Sequence, residues 1–130
     1  MFTIQQIHQA SEKVKSGADF PRFIQDLKAL GVKKYENFVS NGLTNYYGKN
    51  GFILKDEEKY PLVGINDESC SEKLHQAIQI HQNGQTDYKT FCLQAAEAGV
   101  EKWITDTEEM TVTYLDKAQK TVRVEQIPQP

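Results

Sequence analysis

The chain has two cysteines and one tryptophan in 130 residues, and no apolar run longer than a few residues. A bilayer span needs roughly 20 consecutive apolar residues, so no membrane helix is expected. The opening "MFTIQQIHQ" lacks the basic region and continuous apolar core of a signal peptide, so the reading is a cytoplasmic protein with no membrane partner. Cys70 and Cys92 make no disulfide framework; both stand among helical residues, where a buried thiol is the expected state. No basic cluster exceeds the pair Lys33-Lys34, which argues against a nucleic-acid partner. Catalytic signatures are missing too. There is no Gly-rich phosphate loop, Cys-x-x-Cys, His-Glu-x-x-His or nucleophile elbow.

What remains is an ordinary soluble composition, with 38% hydrophobic and 25% charged residues and a net charge of −3. That length suits one domain, residues 1–130. The charge is uneven: residues 1–65 carry nine Lys/Arg against seven Asp/Glu, and residues 66–130 carry six against eleven. An acidic second half repels phosphates and suits a basic surface, including that of the first half.

Two stretches resemble each other, "IHQASEKVKSG" at 7–17 and "LHQAIQIHQNG" at 74–84. A shift of 67 sets His8-Gln9-Ala10 on His75-Gln76-Ala77 and Gly17 on Gly84. With one residue more, Asp19 meets Asp87, Phe23 meets Phe91, and Gly31-Val32 meets Gly99-Val100. Lys34, Tyr46 and Lys49 then meet Lys102, Tyr114 and Lys117. These are eleven identities over about 49 aligned positions, where chance gives about three. Tyr35/Trp103, Phe20/Tyr88 and Leu54/Val122 extend the match. Two copies are too few for a solenoid, so the expectation is one pseudo-twofold domain.

Within each copy the periodicity runs helix, helix, then strands. Thr3-x-x-Gln6 and Ser69-x-x-Glu72 read as capping boxes. Ile4, Ile7, Ser11 and Val14 line one helical face, as do Leu74, Ala77, Ile78 and His81, and Gly17 and Gly84 read as C-caps. Asp19 and Asp87 are the expected N-caps of the second helices, with Phe23 and Phe91 at equivalent places in the apolar stripes. Period two follows, and both Asn41-Gly42 and Asn50-Gly51 read as tight hairpin turns. In the second copy the turns fall at Thr107–Glu108 and Asp116–Gln119. The fold class is therefore α+β: a helix–helix–three-stranded meander (ααβββ) written twice, its helices on one face of an antiparallel sheet. The repeats span 3–55 and 69–127, and 56–68 connect them.

Long stretches of the chain resemble a known family. They are "SGADFPRFIQDLKALGVKKYENFVSNGLTNYYGKNG", "GVEKWITDTEEMTVTYLDK" and "VRVEQIP". Together they resemble the YdfO-like bacterial family of unknown function, whose members occur in prophages and are often labelled "phage envelope protein". The most specific residues are His8, Gly17, Asp19-Phe20-Pro21, Tyr35, Gly42 and Tyr46, then Gly99, Val100, Trp103, Thr113, Tyr114, Asp116 and Glu125–Pro128. The resemblance implies a small α+β fold with no established activity. The "envelope" label names no chemistry.

Candidate sites are few. His8 and His75 fall at the edge of their apolar stripes and, if a twofold axis brings them together, converge with Asp19 or Asp87 on an acid–base or metal site. Boundary histidines bonded to backbone or water are the competing reading. His81 stands on the apolar face itself, where a satisfied core histidine is expected, and Lys49 and Lys117 read as solvated turn residues. Tyr35, Tyr46, Tyr47, Trp103 and Tyr114 form an aromatic set on the strands, read as packing or as the lining of a pocket between sheet and helices. Of these, Tyr35, Tyr46, Trp103 and Tyr114 are the ligand-binding candidates.

The functional expectation is an accessory protein, monomer or homodimer, that binds a protein partner or a small molecule and uses no metal or cofactor. The alternative is a small metal-independent enzyme with His8 or His75 as general base beside a strand tyrosine. A cavity reached by a histidine and a tyrosine hydroxyl favours the enzyme. A flat apolar face or an exposed strand edge favours partner binding.

Overall fold

A computed structural model describes residues 2–15 and 17–129. The element order is α1 (Ile4–Ser11), α2 (Phe20–Leu30), β1 (Lys34–Phe38), β2 (Thr44–Tyr47), β3 (Ile53–Asp56), α3 (Ser71–Gln82), α4 (Tyr88–Glu97), β4 (Lys102–Asp106), β5 (Thr111–Leu115) and β6 (Thr121–Gln126). This is helix–helix–three strands, twice. The six strands form one antiparallel sheet in the order β3-β2-β1-β4-β5-β6, with the same strand order in each copy.

The register carries the symmetry of the duplication. In the central pair Tyr35 faces Thr105 and Asn37 faces Trp103, and a shift of 68 converts one pair into the other. Glu36 faces Ile104, its own counterpart, so the pseudo-twofold axis passes between these two residues. Tyr35↔Tyr46 in β1–β2 likewise becomes Trp103↔Tyr114 in β4–β5. Two rows of side chains therefore cross the inner face. One runs Leu54, Tyr46, Tyr35, Thr105, Val112, Glu125; the other runs Asp56, Thr44, Asn37, Trp103, Tyr114, Arg123.

The copies part at one point. Tyr47 faces Ile53 and Leu115 faces Thr121, as the repeat requires, but then Tyr46 faces Leu54 while Tyr114 faces Arg123 rather than Val122. A β-bulge inserts one residue into β6, and everything beyond it changes face. Glu125 thereby comes to lie opposite Val112, in the place that Asp56 holds opposite Thr44.

Helix ends follow their chemistry with some corrections. Thr3 and Gln6 form the expected reciprocal box, at 3.2 Å and 2.9 Å. The second box is absent: Cys70 is the N-cap of α3 and gives it no side-chain bond, because the chain turns into the helix one residue after Ser69. Asp87 caps α4 through the Thr90 amide at 2.8 Å. Asp19 makes no such bond to α2; its carboxylate accepts from the Lys15 amide, because a short 3-10 turn at Gly17–Asp19 leads straight into the helix. Gly17 belongs to that turn and does not cap α1, which ends at Ser11. Asn50 and Gly51 both take positive φ, as a tight turn demands. At Asn41-Gly42 only the glycine does, so the β1–β2 connection is a wider loop closed by Gly42 N–H to Phe38 C=O.

The core lies between the helices and the sheet, built around Ile7, Ile24, Leu27, Val32, Leu74, Ile78, Phe91 and Val100. Ile24 and Leu27 are 0% exposed, and each contributes roughly 1.5–3 kcal/mol through burial. The two stripe phenylalanines are unequal: Phe91 is 5% exposed, whereas Phe23 is half-buried and borders a cavity. Phe91→Ala is expected to cost about 3–5 kcal/mol in urea denaturation, and Phe23→Ala roughly 1–2 kcal/mol. Equal losses would contradict this difference in burial.

Candidate functional site

Between the helix layer and the sheet lies a cavity of about 760 Å³. That volume falls within the range of small-molecule sites, about 300–1,000 Å³. Its floor is the inner face of the four central strands: Tyr46 and Thr44 on β2, Tyr35 and Asn37 on β1, Trp103 on β4, Val112 and Tyr114 on β5. Ile7, His8, Phe20 and Phe23 wall it from the first helix pair, and Ile78, His81, Tyr88 and Phe91 from the second. Period-two alternation sets the floor, because only every other strand residue points at the helices.

The four ligand-binding candidates, Tyr35, Tyr46, Trp103 and Tyr114, all line this cavity. Their rings pack in two repeat-related pairs, Tyr35–Tyr46 with centroids 5.4 Å apart and Trp103–Tyr114 at 5.8 Å. Tyr47, grouped with them by composition, lies on the other face. Its hydroxyl donates to Glu36 at 2.5 Å, which pushes the Tyr47 phenol up to about 12. Glu36 also holds Lys102 at 3.2 Å, a polar cluster on the outer face.

Tyr46 and Tyr114 are 7% and 6% exposed, yet their hydroxyls make no hydrogen bond to any described residue. The Trp103 indole N–H has none among the described residues either. The buried polar atoms without a hydrogen-bond partner among the described residues are His75 Nδ1, Gln94 Oε1, Thr105 Oγ1 and Arg123 Nε; the two hydroxyls and the indole N–H are open to water. Burial and the nearby Tyr35 and Asp56 push the Tyr46 phenol up; burial and the nearby Tyr35 and Glu125 do the same for Tyr114, against Arg123. Both hydroxyls therefore stay protonated, able to donate and accept. Asn37 is engaged: its amide donates to the Tyr88 hydroxyl, and its carbonyl accepts from Thr44 at 3.1 Å, which pins the start of α4 to the sheet.

The histidines do not converge. His8 Nε2 lies 3.0 Å from Asp56 Oδ2 over one edge of the sheet, and His75 Nδ1 lies 3.8 Å from Glu125 Oε1 over the other. Neither is bonded to Asp19 or Asp87; α1 and α3, which carry them, pack against their own copy's edge strand, β3 and β6. His8, Asp56 and Glu125 line the cavity; His75 is not among the lining residues. Burial favours a raised Asp56 carboxyl, but the His8 bond and the Lys59 ammonium at 3.3 Å outweigh it and hold it low. Glu125 is paired with Arg123 at 3.4 Å. His81 is a partnered histidine, stacked on Phe91 at 4.8 Å with Nδ1 3.1 Å from the Thr86 carbonyl oxygen.

Asp56 and Glu125 escape a reading from sequence. The bulge offsets them by one from the repeat shift, so alignment sets Asp56 against Val124. An acid closing the last strand of each copy is the one signal available. Cys92 is buried, which raises its thiol pKa, and Cys70 is half-buried; both are free thiols. Lys49 is exposed, and Lys117 pairs with Asp67 at 2.7 Å. Among the described residues no three His, Cys, Asp or Glu side chains cluster to hold a metal ion, and no helix is long and apolar enough to cross a membrane.

Residues 8–126 match the model of a family described as Protein of unknown function (DUF1398). The chain belongs to that family. Its description assigns no activity, and the matched span holds the cavity floor, both carboxylates and both histidines. No curated protein matches the chain.

Proposed function

We propose that the protein binds a small organic molecule in the cavity between its helices and sheet, as a cytoplasmic accessory protein of the prophage type that its resemblance implies. One observation carries this reading: Tyr46, Tyr114 and Trp103 line a cavity of about 760 Å³, and their hydroxyls and indole N–H, open to water, have no protein partner among the described residues. A cavity meant only for packing would be apolar, or its polar groups would be satisfied internally. The ring faces supply area for stacking, and the hydroxyls supply orientation.

A second reading, a small enzyme, rests on His8, and a cavity lined by a histidine and tyrosines is the feature expected of it. Asp56 fixes its Nε2 at 3.0 Å, which leaves Nδ1 as a proton acceptor at a cavity that also holds the Tyr46 hydroxyl. This is the arrangement of a general base with an orienting carboxylate. Against it, the His8 side chain is 52% exposed and its carboxylate is shared with Lys59. Binding without turnover is the better-supported function.

Native mass spectrometry of protein isolated from its own host tests the proposal. The expected result is a retained small molecule, displaced on denaturation, that changes the fluorescence of Trp103 (the sole tryptophan) when added back. The Tyr46→Phe/Tyr114→Phe double variant is expected to fold and to lose the ligand. His8→Gln is expected to keep it, since an amide preserves donor and acceptor but does not titrate. Protein that arrives empty, with a Trp103 signal indifferent to host small-molecule extract, would sink the reading.

A further inference from the structure

The cavity's charge balance and symmetry narrow the class of ligand, on the basis of the binding reading above. Asp56 is paired with Lys59 and His8, and Glu125 with Arg123 and His75. The other formal charges on the lining, Lys15 and Asp87, belong to exposed residues. A bound cation would have to compete with Lys59 or Arg123 for a carboxylate already held. A bound anion would face Asp56 or Glu125. In an aromatic cavity either ion would lose its hydration without gaining a free counter-charge.

The shape is equally specific. Tyr46 on β2 and Tyr114 on β5 are repeat counterparts, separated by three strand spacings, about 14 Å between backbones. Between them lie Tyr35 and Trp103, whose rings form the middle of the floor. A molecule spanning this floor lies against the Tyr35 and Trp103 rings at its centre and against Tyr46 and Tyr114 towards each side. Phe20, Phe23 and Phe91 close it from above.

We infer that the cavity takes an uncharged, flat aromatic molecule of about two fused rings, with a hydrogen-bonding group at either end received by the Tyr46 and Tyr114 hydroxyls. The pseudo-twofold makes the two ends chemically alike. Such a ligand replaces water at both phenols without disturbing either ion pair.

Calorimetric titration of the whole protein at neutral pH, with three probes sharing one ring system, tests this. The probes are 2,6-dihydroxynaphthalene, naphthalene-2,6-dicarboxylate and 2,6-bis(aminomethyl)naphthalene. The dihydroxy compound is expected to bind at least about tenfold more tightly than either charged probe. Tyr46→Phe and Tyr114→Phe, each confirmed folded by circular dichroism, are expected to weaken it about fivefold or more apiece. A charged probe that binds equally well or better overturns the inference and leaves the small-molecule reading standing. So does a dihydroxy affinity indifferent to both substitutions. If none of the three binds, the inference fails, while the small-molecule reading stands or falls with the ligand found by native mass spectrometry.

Discussion

Alanine at Gly99 is expected to cost roughly 3–5 kcal/mol, while alanine at its repeat counterpart Gly31 costs about 1–2 kcal/mol. Both glycines end a helix with positive φ, +82° at Gly99 and +100° at Gly31. Any L-residue pays the left-handed penalty at either site. Their surroundings decide the rest. A Cβ at Gly31 would meet only Phe2 Cδ1 at 3.9 Å, an ordinary contact. At Gly99 it would stand 2.6 Å from Ser69 Cα and 2.7 Å from the Glu68 carbonyl oxygen. Those atoms are backbone, and they cannot rotate away. The connector is also laced to the end of α4, through Asn66 N–H to Ala96 C=O and Cys70 N–H to Ala98 C=O, both at 2.9 Å. Urea denaturation followed by circular dichroism compares the two variants. Losses of equal size would show that the connector yields, and the tight packing claimed here would be wrong.

Gly99 also shows where sequence was and was not enough. The duplication was legible because identical residues recur at nearly one spacing, and it led to the element order and the meander in each copy. The β1–β4 pairing that joins the copies, with its register, was not legible. Helical stripes were legible because Ile24 and Leu27 sit three apart on a face that must be dry. The aromatic floor was legible once strand parity was used, and that parity also removes Tyr47, the neighbour of Tyr46, to the opposite face. Three further features were hidden. Asn41-Gly42 has the composition of a tight turn, but the loop uses the longer path because Lys59 and Tyr60 pack against Gly42. The Ser69 box fails because the connector's bonds to α4 set the start of α3 at Ser71. The β6 bulge leaves no mark in composition, yet it alone turns Glu125 inward. A local pattern cannot register a constraint imposed by a segment tens of residues away.

Raising the pH is expected to unfold the protein in one cooperative step rather than titrate its tyrosines one by one. All six phenols are held above their ordinary value. For Tyr35, Tyr46, Tyr60 and Tyr114 the leading cause is burial; for Tyr47 it is the hydrogen bond to Glu36, and Tyr88, 45% exposed, is shielded only around its hydroxyl. Tyr35, buried in the sheet centre, is pushed up to about 12. The folded chain keeps these protons while the unfolded chain releases them near pH 10. Their contribution is therefore fully present below about pH 10 and is lost as pH climbs towards the folded values. Each of the buried phenols Tyr35, Tyr46 and Tyr114 removes about 1.4 kcal/mol per pH unit within that window, and Tyr35 alone accounts for roughly 2–3 kcal/mol; the more exposed Tyr47, Tyr60 and Tyr88 contribute less. Three buried phenols acting together remove a large part of the stability of an ordinary domain. Near-ultraviolet phenolate absorbance should stay low through pH 10, then rise together with the loss of far-ultraviolet circular dichroism. A ligand that engages Tyr46 and Tyr114 should move that step to higher pH. Gradual ionisation centred near pH 10 with the dichroism intact would mean that the phenols are not desolvated by the fold, and the buried aromatic floor would be refuted.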